Sequence, residues 1–245
     1  MCPGGLILTN QTSQVGKVVF ISNIKGGVGK STIAVYLTDY LRHRFAENTV
    51  MLIDTDPQGS AYEMLEPLSA SSDIKLLPVG NRYDGVNVTT LDGILRRMLV
   101  EENSLTIVDT GAGKMGDIWQ MAMMCNTMIV PTSMSWTDLR LTIEFIKEID
   151  QRKEDFGRLT PHVVVIPNRT SPSQRNFNVL SEALQEVNAI MAPPISDLSA
   201  ARSRSANFGG MKAVEGTRFH SEIERLGEFI VDYVLSGELD RIYKV

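Results

Sequence analysis

The 245 residues suffice for one large α/β domain or two small ones, and they can bury a full sheet. A hydrophobic fraction of 43%, a charged fraction of 22% and a net charge of −5 are ordinary for a globular chain, and they exclude a global positive field that would draw in nucleic acid or anionic lipid. Two cysteines, Cys2 and Cys125, exclude a disulfide framework, and no stretch approaches the roughly 18–20 apolar residues of a membrane span, so a cytoplasmic protein is expected.

Residues 1–16 have no basic start and no long apolar run, and are expected to be a flexible tail rather than a secretory signal. From Lys17 onward, short β-rich runs alternate with helical patterns. A strand over Lys17–Asn23 leads to a helix over Thr32–Arg44, and a strand over Val50–Asp54 leads to an irregular segment, Pro57–Ser72. Strand Ile74–Val79, an irregular loop Gly80–Val88, helix Thr90–Glu101 and strand Leu105–Asp109 follow. Helix Asp117–Cys125, strand Met128–Pro131, helix Ser135–Arg152 and strand Val163–Pro167 come next. Helix Ser173–Val187, strand Ala189–Ile195, irregular Ser196–Val214 and helix Glu215–Leu235 close the chain. Nearly continuous apolar strands such as Val18-Val-Phe-Ile21 suit a parallel sheet buried on both faces. Trp136, Leu139, Ile143, Ile146 and Ile149 recur at helical spacing and are expected in the core. Residues 17–245 therefore predict a single-domain, three-layer α/β fold with a mostly parallel sheet.

Four motifs carry chemistry. The first is Lys25-Gly26-Gly27-Val28-Gly29-Lys30-Ser31-Thr32, set between an apolar strand and a helix. Glycines let the backbone turn N–H groups onto phosphate oxygens, and the helix N-terminus adds partial positive charge. In this context Lys30 reaches the β- and γ-phosphates of a nucleotide, and the Ser31 hydroxyl ligates Mg²⁺. The second, Asp54-Thr55-Asp56-Pro57-Gln58-Gly59, ends a strand with two carboxylates that point to opposite sides, and it is also a good turn sequence. The third, Leu105–Asp109 followed by Thr110-Gly-Ala-Gly113, places a carboxylate where it reaches Mg²⁺ through water, or caps the next helix. The fourth ends a strand in Pro167-Asn168-Arg169, where an amide offers a donor and an acceptor to a base edge or makes an ordinary turn.

The first motif departs from the ordinary phosphate loop: glycine is replaced by Ile24, and a lysine stands at Lys25. This form resembles the deviant Walker A motif of the ParA/MinD superfamily of positioning ATPases, and the glycines after Asp109 look like those of small, ParF-like members. The resemblance covers about Lys17 to Leu235. It implies that Lys25 crosses a homodimer interface to the partner's nucleotide, as an arginine finger does. It also implies that Asp56 orients the attacking water, that Asp54 lies near the Mg²⁺ shell beside Asp109, and that Asn168 reads adenine, with Pro193 and Pro194 lining the base.

On this resemblance, ATP and Mg²⁺ drive a sandwich homodimer that binds DNA without sequence preference, associates with the nucleoid and moves a cargo, and a small ParB-like adaptor stimulates slow hydrolysis. The candidate DNA patch is Arg202, Arg204, Lys212 and Arg218. An alternative is a MinD-like ATPase on a membrane surface, without stable insertion. It would need a basic amphipathic C-terminal helix, whereas Phe219–Val245 is net acidic. A metabolic or redox enzyme on the same scaffold is a third class. Cys125 alone does not make an iron–sulfur ligand set, and Tyr233 and Tyr243 do not make a tyrosine cluster.

Overall fold

The computed structural model describes residues 16–45, 48–69, 75–78, 80–81, 85–113, 116, 119–157, 161–171, 173, 176–197 and 209–235. The tail expected before Lys17 lies outside these residues except at Gly16.

The described elements, in chain order, are β1 (Lys17–Ile21), α1 (Lys30–Arg44), β2 (Thr49–Asp54), α2 (Ser60–Ser69) and β3 (Lys75–Pro78). A small hairpin of β4 (Gly80–Asn81) and β5 (Gly85–Val86) precedes α3 (Val88–Val100), β6 (Ser104–Asp109) and α4 (Trp119–Ala122). β7 (Thr127–Thr132), α5 (Trp136–Asp155), β8 (His162–Pro167), α6 (Asn178–Leu184) and β9 (Ala189–Met191) follow. Then come α7 (Gly210–Ala213) and α8 (Arg218–Phe229), which runs into a π-helical turn, Ile230–Leu235. The seven expected strands form one sheet in the order β3-β2-β6-β1-β7-β8-β9, with parallel pairing throughout.

The period of two along β1 sorts its side chains into two cores. Val19 and Ile21 face Ile33, Leu37, Leu226 and Ile230, while Val18 and Phe20 face Leu95, Phe145, Ile146 and Ile149. Each fully buried aliphatic or phenylalanine side chain contributes roughly 1.5–3 kcal/mol. The methionines Met121, Met123 and Met128 are buried core fillers.

Five expectations change. Helix α2 occupies the segment expected to be irregular, β4–β5 and α7 lie in the other two, and the helix expected at Asp117–Cys125 is described only over Trp119–Ala122. Trp136 is 74% exposed rather than buried, because it is the first residue of α5, directly after the Ser135 cap. Periodicity locates a face but not where the neighbouring layer stops. Among the described residues, no helix is long and apolar enough to cross a membrane.

Candidate nucleotide site

The motifs converge at the C-terminal edge of the sheet, where ligands of open α/β sheets bind. Register places Asp109 beside Ile21 on one side and Asp54 on the other. The loop from β1 turns at Gly27 (φ 73°) and Gly29 (φ 94°), both left-handed conformations that favour glycine. A Cβ on Gly29 would also collide with the Asn168 side chain. Helix α1 starts with no side-chain cap and no acidic residue in its first turn, so its leading N–H groups and positive dipole end suit an anion.

Lys30 is 6% exposed, and its Nζ donates to the Lys25 carbonyl at 3.2 Å. Burial lowers its pKa, and the charges of Asp109 and Asp56 oppose that shift. The loop after β6 braces this turn: Gly113 N donates to the Ile24 carbonyl at 3.0 Å.

Asp109 is fully buried, and neither carboxylate oxygen has a hydrogen-bond partner of normal geometry. Burial pushes its pKa up to about 8, against the pull of the nearby Ser31 hydroxyl, while the Asp54 charge raises it further. An orphaned carboxylate beside a hydroxyl fits a divalent cation, so Asp109 and Ser31 suit Mg²⁺. Asp54 is differently placed. Its Oδ1 accepts from Asp56 N at 2.9 Å and its Oδ2 from Tyr62 N at 2.8 Å. It anchors both the Asp56–Gly59 turn and the start of α2. Asp56, half-buried, accepts from Gln58 N at 2.9 Å and lies against Gly111.

A pH test follows for the protein without Mg²⁺ or nucleotide. Folded Asp109 holds its proton up to about pH 8, whereas the unfolded chain releases it near the ordinary value of 3.8. Stability should therefore fall as pH rises between those values. Asp54, also raised by burial, acts in the same direction, and the lowered Lys30 acts in the opposite one. The comparison is thus wild type against Asp109→Asn. The melting temperature of wild type should drop more between pH 5 and pH 8, and equal drops would show that Asp109 ionises freely.

A family model described as the CobQ/CobB/MinD/ParA nucleotide binding domain matches residues 19–206. The chain belongs to this family. Maintenance of carboxysome distribution protein A of Gloeobacter kilaueensis is 30% identical over 164 residues, 65% of this chain and 62% of that protein. Chromosome partitioning protein ParA of Myxococcus xanthus is 51% identical over 47 residues, 19% of this chain and 16% of that protein. These matches span less than two thirds of either relative's length. The structure of a complex of Cyanothece McdA with ATP shares the fold, with a TM-score of 0.67 at 18% identity, covering 89% of this chain and 96% of that one.

In this ParA/MinD-family chain the Asn168 amide is bonded to the phosphate loop. Its Nδ2 donates to the Val28 carbonyl at 2.6 Å, tying β8 to the phosphate loop. Pro193 and Pro194, half-buried, follow β9 and run beside the end of β8, where Ile195 N donates to the Pro167 carbonyl at 2.8 Å. Of the expected DNA patch, Arg202 and Arg204 lie outside the described residues. Lys212 is exposed, at a cleft of about 340 Å³ shared with Tyr40, His43, Arg44, His220 and Glu224. This cleft sits at the far end of α1 from the phosphate loop. Arg218 donates from Nε to Glu222 Oε1 at 2.7 Å. Buried Glu222 also accepts from Ser196 N and Oγ, so it clamps the chain after β9 to α8. No sequence signal distinguished Glu222 from its solvated neighbours.

Proposed function

We propose that this chain is a ParA-type ATPase that dimerises on ATP, binds DNA without sequence preference in that state, and positions a cargo under the control of an activating partner protein. The observation that carries this reading is the meeting of the Lys25-containing loop with Asp56 and Asp109 on one sheet edge. In this reading Lys30 faces the β- and γ-phosphates, Ser31 and Asp109 hold Mg²⁺, and Gly26 to Thr32 line the phosphates. Mg²⁺ bound there would offset phosphate charge during transfer. Asp56 orients the attacking water, since one of its oxygens carries no bond to the turn. Asp54 couples that turn to α2. Asn168 and Pro194 border the adenine, and Lys25 acts across a two-fold dimer. Two relatives are named for chromosome partitioning and carboxysome distribution, and these names support a positioning role here.

A membrane-surface role finds less support: the exposed charges of α8, Glu224 and Glu228 against Arg218 and Arg225, balance, whereas an anionic membrane surface calls for a basic face. The test uses protein loaded with ATP and Mg²⁺ over immobilised non-specific duplex DNA. Wild type should be retained and then leave as phosphate appears, while Asp56→Ala should stay and release little phosphate. Retention should fall with salt, at a log–log slope of about −0.9 per phosphate contact. Indifference to ATP at low salt would remove the DNA reading, and unchanged phosphate release would move the water-orienting role away from Asp56.

A further inference from the structure

The strand end that carries Asn168 also carries Arg169, one of two residues other than glycine with a positive φ among the described ones, at 55°. A left-handed backbone is unfavourable for a bulky side chain and persists only where the surroundings over-determine it. Both neighbours of Arg169 do so. Asn168 N donates to the Thr132 carbonyl at 2.7 Å, and its Nδ2 donates to the Val28 carbonyl at 2.6 Å. Thr170 N and Oγ1 both donate to the Ile195 carbonyl, at 3.1 and 3.2 Å. Asn168 and Thr170 are buried, whereas Arg169 between them is exposed. The left-handed turn leaves its guanidinium against the phosphate loop: a Cβ built on Gly27 would stand 3.9 Å from Arg169 Nη1.

Two cations of different kinds therefore meet this loop. Lys30 approaches from within the fold, buried and facing Asp109 and Asp56. Arg169 approaches from solvent, and its guanidinium stays charged and presents a planar fork that matches phosphate oxygens. We propose that Arg169 is a second phosphate-binding cation, which reaches over Gly27 to the phosphates common to ATP and ADP in its own subunit. This rests on the reading of the loop as a nucleotide site. The bonds of Asn168 to the loop and of Thr170 to the chain after β9 hold the strained turn that aims it. Backbone strain at Arg169 is then part of how the site is prepared before the nucleotide arrives.

Arg169→Gly removes the cation and suits the positive φ, so it separates binding from folding. Without nucleotide it should melt no earlier than wild type. In calorimetric titrations, ADP·Mg²⁺ and a non-hydrolysable ATP analogue with Mg²⁺ should both bind it roughly tenfold more weakly. Arg169→Lys keeps the charge without the fork and should recover part of that loss. The difference between wild type and the Gly variant should shrink at high salt. An arginine that only props the turn would show the reverse, a lower melting temperature with nucleotide affinity kept. Should the Gly variant melt early, Arg169→Asn, which also tolerates this backbone, carries the same test. Weaker binding of both nucleotides by a stable variant, partly restored by lysine, supports the phosphate contact. Unchanged affinity, a loss that lysine does not relieve, or a loss confined to the ATP analogue overturns it and leaves the Lys30 site standing. If wild type binds neither nucleotide, the reading of the loop fails and this contact with it.

Discussion

Lys30→Ala should lower affinity for ATP·Mg²⁺ on the order of a hundredfold or more, because truncating one member of a desolvated charge contact costs about 2–5 kcal/mol. Lys30 sits at the start of α1, 6% exposed, and burial already disfavours its charge. The negative charges of Asp56 and, once it has lost its proton, of Asp109 oppose that effect. A triphosphate brought into this edge adds negative charge beside those two groups. Without the Lys30 cation, only the N–H groups of the loop and the dipole of α1 would oppose the repulsion, and a helix dipole supplies about 0.3–1 kcal/mol. A fluorescent-ATP titration measures the loss, with the melting temperature of the ligand-free variant as the control for folding. Wild-type affinity in a folded variant would end the assignment of the phosphate loop.

The strands were legible because each is a run of apolar, β-rich residues, and burial on both faces of a parallel sheet demands such runs. The phosphate loop was legible for a related reason: its geometry requires glycine at Gly27 and Gly29 and a cation at Lys30, and few other sequences satisfy all three. Helix α2 was not legible. Pro57 and Gly59 precede it and Pro67 lies inside it, so local preference reads as turn. The helix starts because Asp54, eight residues before Tyr62, accepts from its backbone N, a contact that exists only once β2 is in the sheet. Asp138, in the first turn of α5 with Oδ1 3.5 Å from Lys25 Nζ, was half legible. The Ser135–Asp138 spacing signals a helix start, but nothing near it in sequence names Lys25 as its partner. Asn168 was placed at the correct strand end, whereas its bond to the Val28 carbonyl depends on how two distant loops meet.

Lys25→Ala separates nucleotide binding from association. In the single subunit the Lys25 ammonium faces Asp138 rather than the interior of its own site, with its side chain 43% exposed. Its loss should therefore change ATP affinity only a few-fold, by about the 0–1 kcal/mol that a solvated ion pair carries. Across a closed dimer the same ammonium would meet phosphate oxygens away from water, where close charge pairs couple by about 1.5–7 kcal/mol. The trans contact outweighs the cis pair, so removing the lysine should cost association far more than it costs ATP binding. The deciding measurement is sedimentation velocity of wild type and Lys25→Ala with saturating ATP analogue and Mg²⁺ at equal protein concentration. The account predicts a dimer for wild type and a nucleotide-bound monomer for the variant; a full dimer of Lys25→Ala would contradict it.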